Sequence, residues 1–201
     1  PVILAARNVH KAFVYAAALL DFTPVWLWPE GENSLLHCPV SAAQVAAALD
    51  AMEAPPAAVY LTSPDYLGGM ADIEAIAKVC HRHGTVLLVD NAHGAYLRFL
   101  RPSRHPMDQG ADLCCDSAHK TLPVLTGGAY LHIGKNAPAA FGEKARQAMA
   151  LFGSTSPSYL TLASLDLCNQ GLAGDYPARL AEMAEQLHQL RRRLKDRGWQ
   201  V

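Results

Sequence analysis

The stretch Gly84-Thr85-Val86-Leu87-Leu88-Val89-Asp90 decides the fold. Thr85–Val89 is continuously apolar and β-branched, the pattern of a strand buried on both faces of a parallel sheet. Just before it, Ile73, Ile76, Ala77 and Cys80 fall at i, i+3, i+4 and i+7, one buried face of a helix. Asp72 caps that helix and Gly84 supplies its C-terminal stop. A helix that turns directly into a buried strand is half of a βαβ unit.

The same alternation extends outward. Val2–Ala5, Val25–Trp28 and Ala57–Leu61 read as strands, and Val9–Leu20 as a helix. A further helix begins at Ser41, where Ser41 and Gln44 stand in a capping-box relation, and Val45, Leu49 and Met52 share one face. Beyond Val89, Asp112–Cys115 and Gly128–His132 read as strands. Ala139–Leu151, Tyr159–Gln170 and Pro177–Arg197 read as helices, the last with Leu180, Met183, Ala184, Leu187, Leu190 and Leu194 on one stripe. The pattern predicts an α/β protein, three layers α/β/α around a mostly parallel sheet.

Of 201 residues 51% are hydrophobic, which excludes a disordered chain, and 17 Lys+Arg stand against 18 Asp+Glu. No cationic excess is available for nucleic-acid phosphates or a polybasic membrane contact, and no apolar run approaches a membrane span. Five cysteines, an odd number without a C-x-x-C pair, suit free thiols in a reducing cytosol. His81 and His83 would point apart on a helix, so no metal site is expected. Arg191-Arg192-Arg193 reads as a solvated helix end, where cations suit the dipole. Pro1 opens directly on a strand and Val201 follows a helix-to-strand turn, so both ends read as cut.

Ligands of open α/β sheets bind beyond the carboxyl ends of the strands. Asp90 with His93, the run Asp116-Ser117-Ala118-His119-Lys120, and His10 all fall at such ends. An acid, histidines, a serine and a lysine can converge there on a polar site. Taken singly, each also has a plain reading: a turn-forming aspartate, a solvated lysine. No G-x-G-x-x-G or G-x-x-x-x-G-K-[ST] fingerprint is present.

Five segments, in order, resemble the major domain of the ornithine/lysine/arginine decarboxylases, pyridoxal-phosphate enzymes of the aspartate-aminotransferase fold. They are Arg7-Asn8-Val9-His10-Lys11, Thr62-Ser63-Pro64, Asp90-Asn91-Ala92-His93-Gly94-Ala95, Asp116-Ser117-Ala118-His119-Lys120-Thr121-Leu122-Pro123 and Ser154-Thr155-Ser156-Pro157-Ser158-Tyr159. The resemblance implies that Lys120 forms the internal Schiff base with pyridoxal phosphate and that Asp90 pairs with the pyridine nitrogen. It implies that Ala92 and His10 pack on the two ring faces, and that His93 reaches the phenolic oxygen. Ser117 and His119 become phosphate contacts. Ser154 and Thr155 become phosphate contacts to the partner subunit of a homodimer; from the residues alone, Ser154 and Ser156 could equally cap the following helix.

The implied reaction is decarboxylation of arginine, lysine or ornithine in the cytoplasm, with polyamine biosynthesis as its setting. An aminotransferase, aldolase or acyl transferase on the same scaffold, or a non-catalytic relative, stands as the alternative. Residues 1–175 are then part of the cofactor-binding major domain, and 176–201 a helix leading to a smaller C-terminal domain. The sequence departs from the family pattern at Gly127 or Gly128 (commonly Gln), at Ala12 (commonly polar) and at Asp65 (commonly Thr).

Overall fold

The computed structural model describes residues 1–31, 36–154 and 156–200. Its element order is β1 (Val2–Ala6), α1 (Lys11–Leu20), β2 (Thr23–Leu27), α2 (Ala42–Asp50), β3 (Ala58–Thr62), α3 (Ile73–Arg82), β4 (Leu87–Asp90), β5 (Leu113–Asp116), α4 (Ala118–Thr121), β6 (Tyr130–Ile133), α5 (Ala139–Phe152), α6 (Tyr159–Ala173) and α7 (Tyr176–Asp196). Two short 3₁₀ turns, Ala95–Phe99 and Pro106–Gln109, lie between β4 and β5. The strands form one sheet in the order β2-β1-β3-β4-β5-β6. All pairings are parallel except β5 with β6, where Asp116 faces Tyr130. The expected α/β architecture with a mostly parallel sheet is therefore present.

Because strand side chains alternate, the sheet has two different faces. Leu4, Val59, Leu61, Leu87 and Val89 point to α2 and α3 and form the main core with Val45, Leu49, Ile73 and Ile76. Ala5, Trp26 and Tyr60 point the other way, where Phe13 of α1 packs with Phe22 against them. Phe13 stands 4.6 Å from Tyr60, 5.3 Å from Phe22 and 6.0 Å from Trp26, centroid to centroid. A third cluster joins Ala118 and Leu122, around α4, to Cys168 of α6.

Several boundaries move for local reasons. The first helix starts at Lys11, not Val9, because His10 caps it by accepting the Ala12 N–H at Nδ1, 3.2 Å. Ser41 caps α2 as expected, but Gln44 turns its amide to the Trp28 carbonyl and the box is not closed. Thr85 precedes β4 because its hydroxyl donates to the Pro56 carbonyl. At their other ends the strands run further than expected: Asp90 pairs with Cys115 and Asp116 with Tyr130, so both are the last residues of their strands instead of the first residues after them. The α6 cap is Ser158, not Ser154 or Ser156. The apolar stripe of α7 is open to solvent among the described residues: Met183, Leu187 and Leu190 are exposed.

Candidate active site

Two buried carboxylates end neighbouring strands. Asp90 ends β4 and is 8% exposed; Asp116 ends β5 and is 4% exposed. Asp90 shares the α1 face with Tyr60, since Thr62 is its register partner and lies two residues beyond Tyr60 on β3. Its Oδ1 accepts the Ala92 N–H at 3.1 Å, and its Oδ2 accepts the Tyr60 hydroxyl at 3.3 Å. The Cys115 thiol, 3.9 Å from Oδ1, is pushed up to about 12 by burial and by the charge of Asp90, so it stays protonated. Asp90 has no cationic partner among the described residues.

Asp116 is fully partnered. Its carboxylate accepts from Asn91 Nδ2 at 2.7 Å, from His105 Nε2 at 3.0 Å and from His132 Nε2 at 3.0 Å. Burial would raise its pKa, but the bonds from His105 and His132 outweigh that and hold it well below the usual carboxylate range. Asn91, wholly buried, thus ties the end of β4 to the end of β5. Gly94 makes room for this brace. Its φ of −121° suits any residue, yet a Cβ there would collide with Asn91 Oδ1 and come within 2.7 Å of Leu97 and Pro64.

His105, Asp116 and His132 bring three ligand-type atoms within 4.8 Å of one another, a set the sequence reading missed. The tautomer of His105 speaks against a metal. Its Nδ1 accepts the Met107 N–H, so the ring proton sits on Nε2 and is donated to Asp116. A metal-bound histidine presents a bare nitrogen to the ion and donates from the other. His81 and His83 reach different carboxylates, Asp112 and Asp50, each at 2.9 Å.

The lysine lies on α4, a short helical turn and not a loop. Ala118, 0% exposed, anchors that turn against Cys168. Lys120 is left exposed, with Nζ 3.2 Å from His93 Nε2. Burial first, then the charge of Lys120, holds the His93 pKa below its ordinary value. His93 is therefore a neutral acceptor for the lysine proton at pH 7. Tyr66 covers its ring at 5.0 Å. Ser117 stands at the N-cap of α4 without spending its hydroxyl there. His119 Nδ1 bonds the Gly128 carbonyl at 3.0 Å and must donate, so Nε2 can donate to an anion only when the ring is doubly protonated.

Of the residues singled out by sequence, the structure brings together Asp90, Ala92, His93 and Lys120. Ser117 and His119 flank the lysine on the same turn. His10 is exposed, and its hydrogen bond is to its own helix. Ser154 is exposed and accepts the Ser156 N–H at 3.1 Å; Thr155 lies outside the described residues.

The sequence profile of the Orn/Lys/Arg decarboxylase major domain matches residues 1–201. The chain belongs to that family. Among curated relatives of these decarboxylases, it is 37% identical over 168 residues to the uncharacterized protein YaaO of Bacillus subtilis, covering 82% of this chain and 34% of the relative. It is 32% identical over 191 residues to an arginine decarboxylase of Halalkalibacterium halodurans, covering 90% of this chain and 38% of the relative. The chain therefore spans little more than a third of these relatives' length. Lysine decarboxylase A from Pseudomonas aeruginosa shares the fold with a TM-score of 0.73 at 22% identity, over 94% of this chain and 28% of that one. Serine palmitoyltransferase from Sphingomonas wittichii does so with a TM-score of 0.67 at 18% identity, over 99% of this chain and 47% of that one. No helix among the described residues is long and apolar enough to cross a membrane.

Proposed function

We propose that the full protein is a pyridoxal-phosphate-dependent decarboxylase of a basic amino acid, releasing carbon dioxide and an amine. The observation that carries this is Asp90: a buried carboxylate with both oxygens oriented and no cationic partner among the described residues, at the same end of the sheet as the Lys120–His93 pair. An uncompensated buried charge is costly. A protonated ring nitrogen supplied by a ligand would neutralise it, which is the fit expected for a pyridine-based cofactor.

Bound pyridoxal phosphate supplies an electron-accepting ring for the electrons of a bond broken at the substrate α-carbon. The chain's own residues hold and prime it. Lys120 provides the amine that anchors the cofactor aldehyde, and His93, 3.2 Å from its Nζ, accepts a hydrogen bond from it and contacts the ring's phenolic oxygen. Asp90 keeps the ring nitrogen protonated. Ala92, small and half-buried, leaves space against one ring face, and His10 covers the other. Ser117 and His119 donate to the phosphate. Ser154 and Thr155 reach the phosphate of a second subunit, which makes the working unit a homodimer. On this reading residues 1–175 belong to the cofactor-binding domain, 176–201 lead to a smaller domain, and the enzyme works in the cytoplasm.

The test is the full-length protein with pyridoxal phosphate, assayed for carbon dioxide release from arginine, lysine and ornithine. Release from one of the three, abolished by Lys120→Ala, is the expected result. Transfer of the amino group without carbon dioxide would replace the decarboxylase reading with an aminotransferase.

A further inference from the structure

Tyr60 is a tyrosine in the middle of a core strand, where an aliphatic residue would fill the space without a polar atom to satisfy. Its ring is wedged against Phe13, 4.6 Å away, inside the aromatic cluster below α1. That packing leaves the phenol one direction, along the strand toward the carboxyl end of the sheet. There its hydroxyl meets Asp90 Oδ2 at 3.3 Å. The other carboxylate oxygen is taken by the Ala92 N–H. A carboxylate pinned through both oxygens cannot rotate about its Cβ–Cγ bond, so its plane is fixed before anything binds.

We propose that Tyr60 is a positioning residue for the cofactor, acting through Asp90: its hydroxyl sets the plane in which the Asp90 carboxylate meets the ring nitrogen. This rests on the assignment of Asp90 to the ring nitrogen made above. The direction of the bond is not in doubt chemically, because an ionised carboxylate can only accept and the phenol must donate. Burial and the adjacent charge of Asp90 hold the phenol's pKa far above its ordinary value, so the donor persists over the whole working pH range. Phe13 contributes indirectly, by fixing the ring that carries the hydroxyl. Preorganisation of this kind lowers the cost of orienting the partner on binding.

The experiment is a double-mutant cycle on the full-length protein, read as the dissociation constant of pyridoxal phosphate by equilibrium dialysis. Tyr60→Phe keeps the ring and removes only the hydroxyl. It should weaken cofactor binding about tenfold, the scale of losing a hydrogen bond to a charged group. In an Asp90→Asn background the same substitution should change affinity by less than about twofold, because the carboxylate through which it acts is gone. Phe13→Leu loosens the aromatic cluster but spares the hydroxyl, and serves as the packing control. It should lower the melting temperature of the cofactor-free protein more than Tyr60→Phe does, with the smaller effect on affinity.

An unchanged affinity in Tyr60→Phe, or an equal loss with and without Asp90, overturns the positioning role while leaving the enzyme's cofactor intact. So does an affinity loss in Phe13→Leu that equals or exceeds that of Tyr60→Phe, since packing alone would then explain both. A parent protein that does not bind pyridoxal phosphate overturns the functional reading itself, and this inference with it.

Discussion

Asp90 and Asp116 sit at the same level of neighbouring strands, similarly buried, yet their surroundings differ completely. Asp116 collects donors from four places in the chain: Asn91, His105, His132 and the thiol of Cys114. Asp90 receives a backbone N–H, a phenol and a weak thiol contact, and among the described residues no cation. Strand alternation sends them to opposite faces, Asp116 with the closed side of the sheet and Asp90 with the side that carries Lys120. A buried charge that a fold satisfies by itself is structural. One that it orients but leaves unneutralised suits a cationic group of a ligand, the role proposed above for Asp90.

That contrast can be broken by substitution. The largest effect is expected at Asp116. Asp116→Ala strips the partner from the buried His105 and Asn91 and from the partly exposed His132, and should lower unfolding free energy by about 2–4 kcal/mol, read by urea denaturation of the full-length protein. Asp90→Asn should do the reverse. Turnover should fall by about 10²–10³-fold, the scale of removing one oriented electrostatic group. Unfolding free energy of the cofactor-free form should change by less than about 1 kcal/mol, because an uncompensated charge is removed along with two hydrogen bonds. Similar stability losses at both positions would erase the distinction.

Acid sharpens it further. Asp116 has a folded-state pKa well below its unfolded value near 4. Its contribution to stability is present above about pH 4 and is lost as the pH falls toward the folded value. Denaturation midpoints between about pH 5 and pH 2 should therefore decline in the parent, and less steeply in Asp116→Asn. A decline of equal slope in both would show that other carboxylates govern acid unfolding. The smallest expected effect concerns metal. Dialysis against zinc, followed by elemental analysis, should leave well under one ion per chain at His105, Asp116 and His132. Stoichiometric zinc lost in His132→Ala would show that His105 can exchange its tautomer after all.

The parts of the fold legible in the sequence were those written in short-range pattern. Thr85–Val89 announced a buried strand, and Ile73, Ile76, Ala77 and Cys80 a buried helical face. Lys120 and Asp90 were visible because they stand in runs of neighbours with a recognisable order. Tyr60 and His105 carried no such signal. A tyrosine in Ala57–Leu61 reads as core, and His105 lies in a proline-punctuated segment, Arg101–Pro106, far in sequence from Asp116. Their importance exists only once β3, β4, β5 and β6 lie side by side. The α7 stripe is the complementary case: periodicity shows which face of a helix is apolar, not whether anything in the chain covers it.

Gly94 carries a consequence for how this sequence can drift. Its backbone would accept any side chain, so the constraint is volume alone, and that volume is claimed by Asn91, Leu97 and Pro64 together. Positions 91 and 94 therefore cannot vary independently. An alanine or serine at 94 needs a smaller residue at 91 and also needs Leu97 and Pro64 to give way, and a shrunken residue at 91 gives up the tie to Asp116. No single neighbour can make that room, so position 94 should stay glycine wherever Asn91, Leu97 and Pro64 are kept.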